Sequence, residues 1–212
     1  MNLKSVGVIG AGQMGSGIAQ VFAMAGFQVV LNDVRQKQLD QAMGLIESNI
    51  ERQVAKGKTT PGEKSAALDL IKPALDLEFV GQCDLVIEAA TERETVKQAI
   101  FEALAPHLAP HTLLTSNTSS ISITRLAART DRPEKFMGFH FMNTVPAMQL
   151  VELIRGIATD DATYQTLLAV VERLGKTSAT AEDYPAFIVN RILLPMINEA
   201  VYTLYEGVGS VT

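Results

Sequence analysis

The pattern of apolar and polar residues at the start of the chain predicts a strand, a helix and a second strand in quick succession. Residues 6–9 form a short apolar run that ends in glycines. Apolar residues then recur at helical spacing over residues 13–25, until Gly26 interrupts the pattern. Residues 27–31 form a second apolar run. A βαβ unit of this kind implies a parallel sheet with a right-handed crossover.

A longer helical pattern then interrupts this alternation. Apolar residues from Leu39 to Val54 are separated by three or four positions, which predicts an amphipathic helix over about residues 35–56. Pro61 suits the first turn of a second helix, which we expect to end before Pro73. The two helices are predicted to form an inserted hairpin beside the sheet.

The alternation of strands and helices resumes after the hairpin. Further apolar runs predict strands over residues 84–88, 112–115, 135–141, 149–154 and 176–181. Helical spacing predicts helices over residues 93–108 and 160–174. The sequence therefore predicts an α/β fold, with a Rossmann-like doubly wound, mainly parallel sheet of roughly eight strands and an inserted helical hairpin.

The last predicted helix, over residues 187–205, is apolar on nearly all sides. Asp183 is expected near its N-cap, and Pro185 at its first helical position. A helix that is apolar all round needs a partner that buries it, and few residues follow this one. We therefore expect two parts: an α/β domain over residues 1–184, and the first helix of a truncated all-α C-terminal domain over residues 185–212.

Composition and charge narrow the classes of function. Of the 212 residues, 47% are apolar and 19% are charged, as in a globular protein with a substantial core. A net charge of -5 predicts no nucleic-acid partner and no attraction to an anionic membrane. No apolar run approaches about 18 residues, so we expect no membrane-spanning segment. The first residues run directly into a strand without a leader pattern, which favours a cytoplasmic protein.

The cysteine and histidine content predicts no metal site. Cys83 is the single cysteine, so there is no internal disulfide and no cysteine cluster for a metal ion. We interpret Cys83 as a core thiol. His107 and His111 lie beside prolines and are interpreted as surface residues.

The glycines that follow the first strand predict a nucleotide-binding turn. The segment reads Gly10-Ala11-Gly12-Gln13-Met14-Gly15 and lies between a strand and a helix. Gly10 permits a tight turn, Gly12 lets the backbone approach a pyrophosphate, and Gly15 lets helix and strand pack closely. Asp33, at the end of the second strand, can accept hydrogen bonds from ribose hydroxyls and would repel a 2′-phosphate. The pattern favours NAD over NADP; the alternative is a glycine-rich turn followed by a helix-capping aspartate.

A histidine and a glutamate stand near each other in two adjacent predicted strands. His140 lies near the end of one strand, and Glu152 follows on the next. A hairpin between the strands could bring the two side chains together. A histidine paired with a carboxylate is a better base, which the oxidation of an alcohol needs because the hydroxyl proton must leave. The alternative is a structural ion pair.

Ser116-Asn117-Thr118-Ser119-Ser120 follows the predicted strand 112–115 directly. These polar residues therefore lie at a carboxyl end of the sheet, where open α/β folds bind ligands. Serines and threonines are also common in loops and at N-caps. Spacing alone does not decide between a ligand-binding loop and a loop that caps a helix.

Several motifs occur in an order that points to one protein family. They are Val8-Ile9-Gly10-Ala11-Gly12-Gln13-Met14-Gly15, Glu88-Ala89-Ala90-Thr91-Glu92, Ser116-Asn117-Thr118-Ser119-Ser120, His140-Phe141-Met142-Asn143-Thr144-Val145-Pro146, Leu150-Val151-Glu152 and Phe187-Ile188-Val189-Asn190-Arg191. On these residues the chain resembles the L-3-hydroxyacyl-CoA dehydrogenase family, which includes bacterial 3-hydroxybutyryl-CoA dehydrogenases. The resemblance covers essentially the whole chain. It implies an NAD-dependent oxidation of a short L-3-hydroxyacyl-CoA at C3, and the reverse reduction.

The resemblance also implies roles for four catalytic residues. His140 would be the general base, and Glu152 the carboxylate that orients it. Ser119 and Asn190 would hydrogen-bond the reacting oxygen and the nearby acyl group.

Other residues are implied to bind the cofactor or the substrate. Asn117 would face the nicotinamide, and Glu92 and Lys97 would lie along the ribose and nicotinamide end of NAD. Ser48 and Lys56, on the polar face of the long helix, would contact coenzyme A; the alternative is a solvated helix face. Gln13 and Met14 would belong to the nucleotide-binding turn.

The sequence departs from the family pattern in places. Met142 and Thr144 replace a usual phenylalanine and proline beside His140, Gln149 replaces a common lysine, and Ala186 a common glycine. Family members generally continue through a helical domain that closes the acyl pocket and forms the dimer. We therefore expect a homodimer for a full-length form.

Three alternatives to this function stay open. The chain could be a fragment that binds NAD without turnover, a related dehydrogenase of a free hydroxyacid such as gulonate, or a structural protein that keeps the fold. The presence of all four proposed catalytic residues counts against the structural protein.

Overall fold

The computed structural model describes residues 3–211 and consists of an eight-stranded sheet with helices on both faces. The strands are β1 (Ser5–Ile9), β2 (Gln28–Asn32), β3 (Ile71–Ala74), β4 (Leu85–Glu88), β5 (Leu113–Ser116), β6 (Phe136–Phe141), β7 (Leu150–Arg155) and β8 (Thr177–Glu182). Their order in the sheet is β3-β2-β1-β4-β5-β6-β7-β8. Neighbouring strands are parallel except β6 and β7, which pair antiparallel. The predicted Rossmann-like, mainly parallel fold is confirmed.

The helices connect these strands and include the predicted hairpin. They are α1 (Gln13–Met24), α2 (Gln36–Ala55), α3 (Pro61–Asp69), α4 (Leu77–Gly81), α5 (Glu94–Leu104), α6 (Ile123–Ala127), α7 (Asp161–Arg173) and α8 (Val189–Tyr205). The hairpin consists of α2 and α3. Pro61 occupies the first turn of α3, and Thr60 and Glu63 cap it by accepting hydrogen bonds from each other's backbone amides.

Alternate residues of each strand divide the core between the two faces of the sheet. In β6, Met137 and Phe139 join a buried cluster with side chains of α1, α2 and α7. Phe136 points the other way and joins a second cluster with side chains of α4, α5 and α6. The same alternation puts His140 and Glu152 on this second face, at positions that would otherwise hold apolar core residues.

Three short elements lie where the sequence pattern gave no prediction. They are the strand β3 and the helices α4 and α6. Pro73 follows the end of α3 as expected, but it also lies inside β3, where it pairs with Leu31 of β2. Because β3 is the edge strand, the missing N–H of proline costs no hydrogen bond within the sheet.

Asp183 has a different role from the predicted one, since it binds the first backbone amides of α6, whose N-cap is Ser122, and not the start of the last helix. Its carboxylate accepts hydrogen bonds from the backbone amides of Ile123 at 3.0 Å and Thr124 at 2.8 Å, and from the Ser122 hydroxyl at 2.6 Å. The predicted N-cap assignment is therefore wrong. Asp183 instead ties the end of β8 to the loop after β5.

The last helix also begins later than predicted. Pro185 lies in a turn, and α8 starts only at Val189. The backbone of the intervening Ala186 and Phe187 has φ values of 67° and 53°, which an α-helix cannot contain. This left-handed turn sets both the start and the direction of α8.

Replacing Asp183 with alanine is expected to destabilise the fold by about 1–2 kcal/mol, because the first amides of α6 lose an acceptor of the kind that an N-cap supplies. Burial raises the pKa of Asp183, but hydrogen bonds from Ser122, Thr124 and Ile123 outweigh it, so the net pKa is lowered. A lowered pKa in the folded state means that this stabilisation is present above the ordinary carboxyl value and is lost as the pH falls. Thermal unfolding at neutral and acid pH measures both effects. Asp183→Asn, which keeps an acceptor for the cap, is the control; equal melting temperatures for Asp183→Ala and wild type would contradict the role.

Helix α8 exposes its apolar side chains. No residue of the helix is buried, and Ile192 and Leu194 are 63% and 59% exposed. Within the described residues nothing covers this helix, so its burial by a helical domain or a second subunit stays a prediction. Over the same residues, no helix is both long enough and apolar enough to cross a membrane.

Candidate active site

A cleft of about 550 Å³ opens at the carboxyl ends of the central strands. The loops after β4 and β5 and the end of β6 line it, which is where open α/β sheets bind ligands. The cleft brings together these residues predicted from the sequence: Met14, Glu92, Lys97, Asn117, Ser119, His140 and Asn190.

The glycine turn adopts a geometry that fits a dinucleotide. Gly10 has a φ of 99°, which favours glycine, and a Cβ added to Gly15 would lie 1.7 Å from the carbonyl oxygen of Gly10. A Cβ added to Gly12 would meet no atom within 4 Å, so the backbone there faces open space. The amides at the N-terminus of α1 adjoin this space and favour an anion such as a pyrophosphate.

Asp33 supports the glycine turn from the end of β2. Its carboxylate accepts hydrogen bonds from the backbone amides of Ala11 and Arg35, both at 3.1 Å. Helix α2 has no side-chain hydrogen bond at its N-cap, Arg35. Asp33 therefore contacts both the glycine turn and the N-cap residue of the next helix.

Gln13 connects the glycine turn to the loop after β6. Its side-chain amide donates a hydrogen bond to Oδ1 of Asn143 at 3.1 Å. This contact joins the first turn of α1 to the segment that follows His140, and the neighbouring Met14 lines the cleft with His140.

His140 and Glu152 form a buried pair. They lie directly opposite each other in the antiparallel ladder of β6 and β7, and Nδ1 of His140 is 2.8 Å from Oε2 of Glu152. The ionised carboxylate favours the tautomer with a proton on Nδ1. Nε2 is then the unprotonated nitrogen that can act as a base toward a molecule in the cleft.

The second oxygen of Glu152 is held by the start of α8. Oε1 accepts hydrogen bonds from the backbone amides of Ile188 at 3.0 Å and Val189 at 2.8 Å. Burial raises the pKa of Glu152, but the hydrogen bonds from His140 and these two amides outweigh it, so the net pKa is lowered. Glu152 is therefore fixed in position and stays ionised.

Glu92 organises the loop after β5 around one carboxylate oxygen. Oε1 accepts hydrogen bonds from the Thr118 hydroxyl at 2.6 Å, and from the backbone amide and hydroxyl of Ser119 at 2.8 Å and 2.9 Å. Burial raises the pKa of Glu92, yet these hydrogen bonds and the charge of Lys97 lower it overall. The loop geometry therefore depends on an ionised Glu92.

Asn117 and Asn190 tie neighbouring segments to this loop. Oδ1 of Asn117 accepts a hydrogen bond from the backbone amide of Phe141 at 2.8 Å, and Nδ2 of Asn190 donates to the carbonyl oxygen of Ser119 at 3.2 Å. The asparagine of α8 thus lies beside Ser119 at the edge of the cleft.

The comparison with protein families decides the identification. A profile described as "3-hydroxyacyl-CoA dehydrogenase, NAD binding domain" matches residues 5–184. The chain belongs to the 3-hydroxyacyl-CoA dehydrogenase family. It contains the NAD-binding domain of that family, so the predicted family and the predicted cofactor, NAD, are confirmed.

Similar proteins agree with this family over almost the whole chain. A 3-hydroxybutyryl-CoA dehydrogenase of Bradyrhizobium diazoefficiens is 61% identical over 209 residues, which are 99% of this chain and 71% of that protein. A probable 3-hydroxybutyryl-CoA dehydrogenase of Bacillus subtilis is 46% identical and covers 99% of this chain and 73% of its own length. The crystal structure of (S)-3-hydroxybutyryl-CoA dehydrogenase from Ralstonia eutropha superposes with a TM-score of 0.96 at 43% identity, covering 99% of this chain and 74% of that one.

Two residues were predicted to contact coenzyme A, Ser48 in α2 and Lys56 directly after it, and their positions relative to the clefts differ. Lys56 lines a second cleft of about 620 Å³ between α2 and the loop after β6, together with Arg52 and Lys58. Ser48 is exposed on the same helix and is not among the residues that line this cleft. The structure therefore puts only Lys56 of the two at a cleft.

Ala186 stands where members of the 3-hydroxyacyl-CoA dehydrogenase family commonly have glycine, and this difference affects the backbone of the turn before α8. Its φ of 67° lies in the left-handed region, where glycine is free of steric cost and alanine is not. The common glycine at this position therefore fits the turn better. Phe187, the second residue of this turn, is buried, and its ring centroid lies 6.1 Å from that of His140.

Sequence reasoning missed two contributors to the site. Glu88 belongs to one of the family motifs without a predicted role, yet its buried carboxylate holds Lys97 at 2.6 Å. The backbone amides of Ile188 and Val189 carry no side-chain signal, so their contact with Glu152 could not be predicted. A charged residue at the end of an apolar strand, as Glu88 is, was the one available signal.

Proposed function

We propose that this chain oxidises the C3 hydroxyl of a short L-3-hydroxyacyl-CoA, 3-hydroxybutyryl-CoA foremost, with NAD, and catalyses the reverse reduction. The observation that carries the proposal is the buried His140–Glu152 pair, 2.8 Å apart, in a cleft that adjoins the glycine turn. A base beside a nucleotide-binding turn is what the oxidation of an alcohol requires.

In this proposal His140 removes the C3 hydroxyl proton through Nε2. Glu152 holds the ring by Nδ1 and stabilises the imidazolium that forms. NAD bound in the cleft would supply the hydride acceptor for C3. In the reverse direction the protonated His140 returns the proton to the oxygen.

Ser119 and Asn190 are proposed to hydrogen-bond the reacting oxygen and the acyl group. Both line the cleft with His140, and the hydrogen bond between Asn190 and the Ser119 carbonyl fixes their relative position. In the structure the Ser119 hydroxyl donates its single proton to Glu92, so it must turn away from Glu92 to donate to the reacting oxygen.

We propose that the pyrophosphate of NAD lies over Gly12 and the N-terminus of α1, with Asp33 at the adenosine ribose. Asn117, Glu92 and Lys97 would lie along the nicotinamide end. The open space over Gly12 supports this arrangement, because a backbone without a side chain lets the phosphates reach the helix amides.

Two glycine variants separate packing from nucleotide binding. Gly15→Ala is expected to destabilise the fold by about 1–3 kcal/mol, because its Cβ would lie 1.7 Å from the backbone oxygen of Gly10. Gly12→Ala is expected to leave stability unchanged, since its Cβ meets nothing within 4 Å, but to weaken NADH binding by covering the helix N-terminus. Thermal unfolding and NADH fluorescence titration measure the two effects. Unaltered NADH binding by Gly12→Ala would count against the pyrophosphate position.

The phosphates of coenzyme A are proposed to lie in the second cleft. Arg52, Lys56 and Lys58 bring three positive charges to its lining, although the chain as a whole is acidic. Local basic side chains can attract phosphate groups despite a negative net charge. Ser48 is proposed as a more distant contact on the same helix.

The substrate class is tested by comparing an acyl-CoA with a free hydroxyacid. We expect NADH to form with 3-hydroxybutyryl-CoA and NAD at a kcat/KM far above that with gulonate, because only the ester can use the basic cleft on α2. A higher kcat/KM with gulonate would contradict the proposed substrate. Binding of NADH without turnover of either compound would mean that the chain is a cofactor-binding fragment.

We also propose a cytoplasmic homodimer in which α8 takes part, and a boundary near residue 184 between the NAD-binding domain and a helical part. The exposed apolar side chains of α8 support an association through this helix. Light scattering across a concentration series tests the proposal: a monomer at all concentrations would contradict dimerisation by this chain.

A further inference from the structure

A buried ion pair lies at the floor of the proposed nucleotide cleft. Nζ of Lys97 is 2.6 Å from Oε2 of Glu88, and the two side chains are 2% and 0% exposed. Removing two charges from water costs free energy that their attraction often fails to recover, so a buried pair is weak evidence for stability alone. A role in ligand binding explains better than stability alone why this ion pair lies at a cleft.

Glu88 is held in a single orientation. Oε2 accepts hydrogen bonds from Lys97 and from the Ser116 hydroxyl at 2.7 Å, while Oε1 accepts one from the backbone amide of Ala90 at 2.8 Å. These donors come from α5, from the end of β5 and from the loop after β4. The carboxylate therefore cannot turn away from Lys97 without breaking a second contact.

Lys97 keeps donors available to the cleft. A lysine ammonium has three N–H donors, and among the described residues Glu88 is the one side chain that accepts a hydrogen bond from it. Oε2 of Glu92 is 3.8 Å away, which is an ion pair beyond hydrogen-bond length. Lys97 lines the cleft itself, so its remaining donors lie at the floor.

We propose that Glu88 is a positioning residue, which keeps the Lys97 ammonium in place so that it donates hydrogen bonds to hydroxyl or carbonyl oxygens of the nicotinamide nucleoside. The inference rests on the proposed NAD site. Glu88 touches no ligand in this arrangement and acts through Lys97. Lysine is suited to this contact because its compact charge carries several donors.

The test is a double-mutant cycle on NADH binding, with Glu88→Gln, Lys97→Met and the double variant. Lys97→Met is expected to weaken NADH binding roughly 10- to 100-fold, as for loss of a charge-assisted hydrogen bond. The double variant should bind as weakly as Lys97→Met and no more weakly, because Glu88 has no effect once Lys97 is gone. Lys64→Met, which removes the lysine of an ion pair of the same 2.6 Å length on the hairpin, is the matched control and should bind NADH normally.

Thermal unfolding of the same samples separates positioning from stability. Glu88→Gln leaves a buried lysine without its carboxylate and could fail to fold, whereas the double variant removes both charges and should fold at least as well as Lys97→Met. Weak NADH binding by a folded Glu88→Gln, with no further loss in the double variant relative to Lys97→Met, supports the proposal. Normal NADH binding by Lys97→Met or by a folded Glu88→Gln would overturn it, as would a double variant that binds NADH more weakly than Lys97→Met. If wild type itself fails to bind NADH, the proposed function fails instead.

Discussion

Replacing His140 with glutamine is expected to lower kcat for acetoacetyl-CoA reduction by roughly 10²- to 10⁴-fold, the usual contribution of a general acid–base group. Glutamine keeps a polar side chain opposite Glu152, but its amide cannot take up and return a proton at neutral pH. NADH binding should survive, because the glycine turn and Asp33 lie on other elements. Steady-state kinetics and NADH fluorescence titration measure the two quantities in one preparation.

His111→Gln is the matched control for the general-base prediction. His111 is a partly exposed histidine that also contacts a carboxylate, Asp84 at 3.0 Å, but it precedes β5, at the amino ends of the strands, whereas the cleft lies at their carboxyl ends. Its replacement should leave kcat within about twofold of wild type. A His140→Gln variant that keeps more than a tenth of the wild-type kcat would mean that His140 is not the base.

The sheet was predictable because its strands are buried and its helices are amphipathic. Apolar runs such as residues 84–88 and helical spacing from Leu39 to Val54 each gave an element at nearly the right place. The pairing of His140 with Glu152 followed as well, since a hairpin of two predicted strands can bring only a few residues opposite each other. These features depend on local patterns that the sequence carries directly.

The elements that were missed depend on distant contacts. Helix α6 is five residues long, too short for a periodic signal, and besides its local N-cap Ser122 its first amides bond Asp183, about 60 residues later in the chain. The strand β3 contains a proline, which its edge position alone makes acceptable. Glu88 and Lys97 are charged residues at buried positions, and no periodicity predicts which buried charges will meet.

The turn before α8 illustrates the same limit at the active site. A local pattern of Asp183 and Pro185 suggested a helix start, but the backbone passes through two left-handed residues first. This path brings the amides of Ile188 and Val189 to Glu152, which lies 36 and 37 residues earlier in the chain. The start of α8 is thus part of the catalytic arrangement.

Replacing Glu152 with glutamine is expected to lower kcat about 100-fold or more, because the imidazolium of His140 loses the negative charge that stabilises it. The same change should also lower stability at neutral pH. Three donors, from His140, Ile188 and Val189, point at the carboxylate, and an amide offers one acceptor oxygen where the carboxylate offers two. Steady-state kinetics and thermal unfolding measure the two losses.

The pH dependence of that stability loss separates a charge effect from a packing effect. The pKa of Glu152 is lowered from 4.5, so its contribution is present above that value and is lost as the pH falls through the lower pKa of the folded state. The difference in melting temperature between wild type and Glu152→Gln should therefore be largest near neutral pH and shrink in acid. A difference that stays constant down to strongly acid pH would mean that Glu152 supports the fold by shape alone, and that its charge does not hold His140 and the start of α8 together.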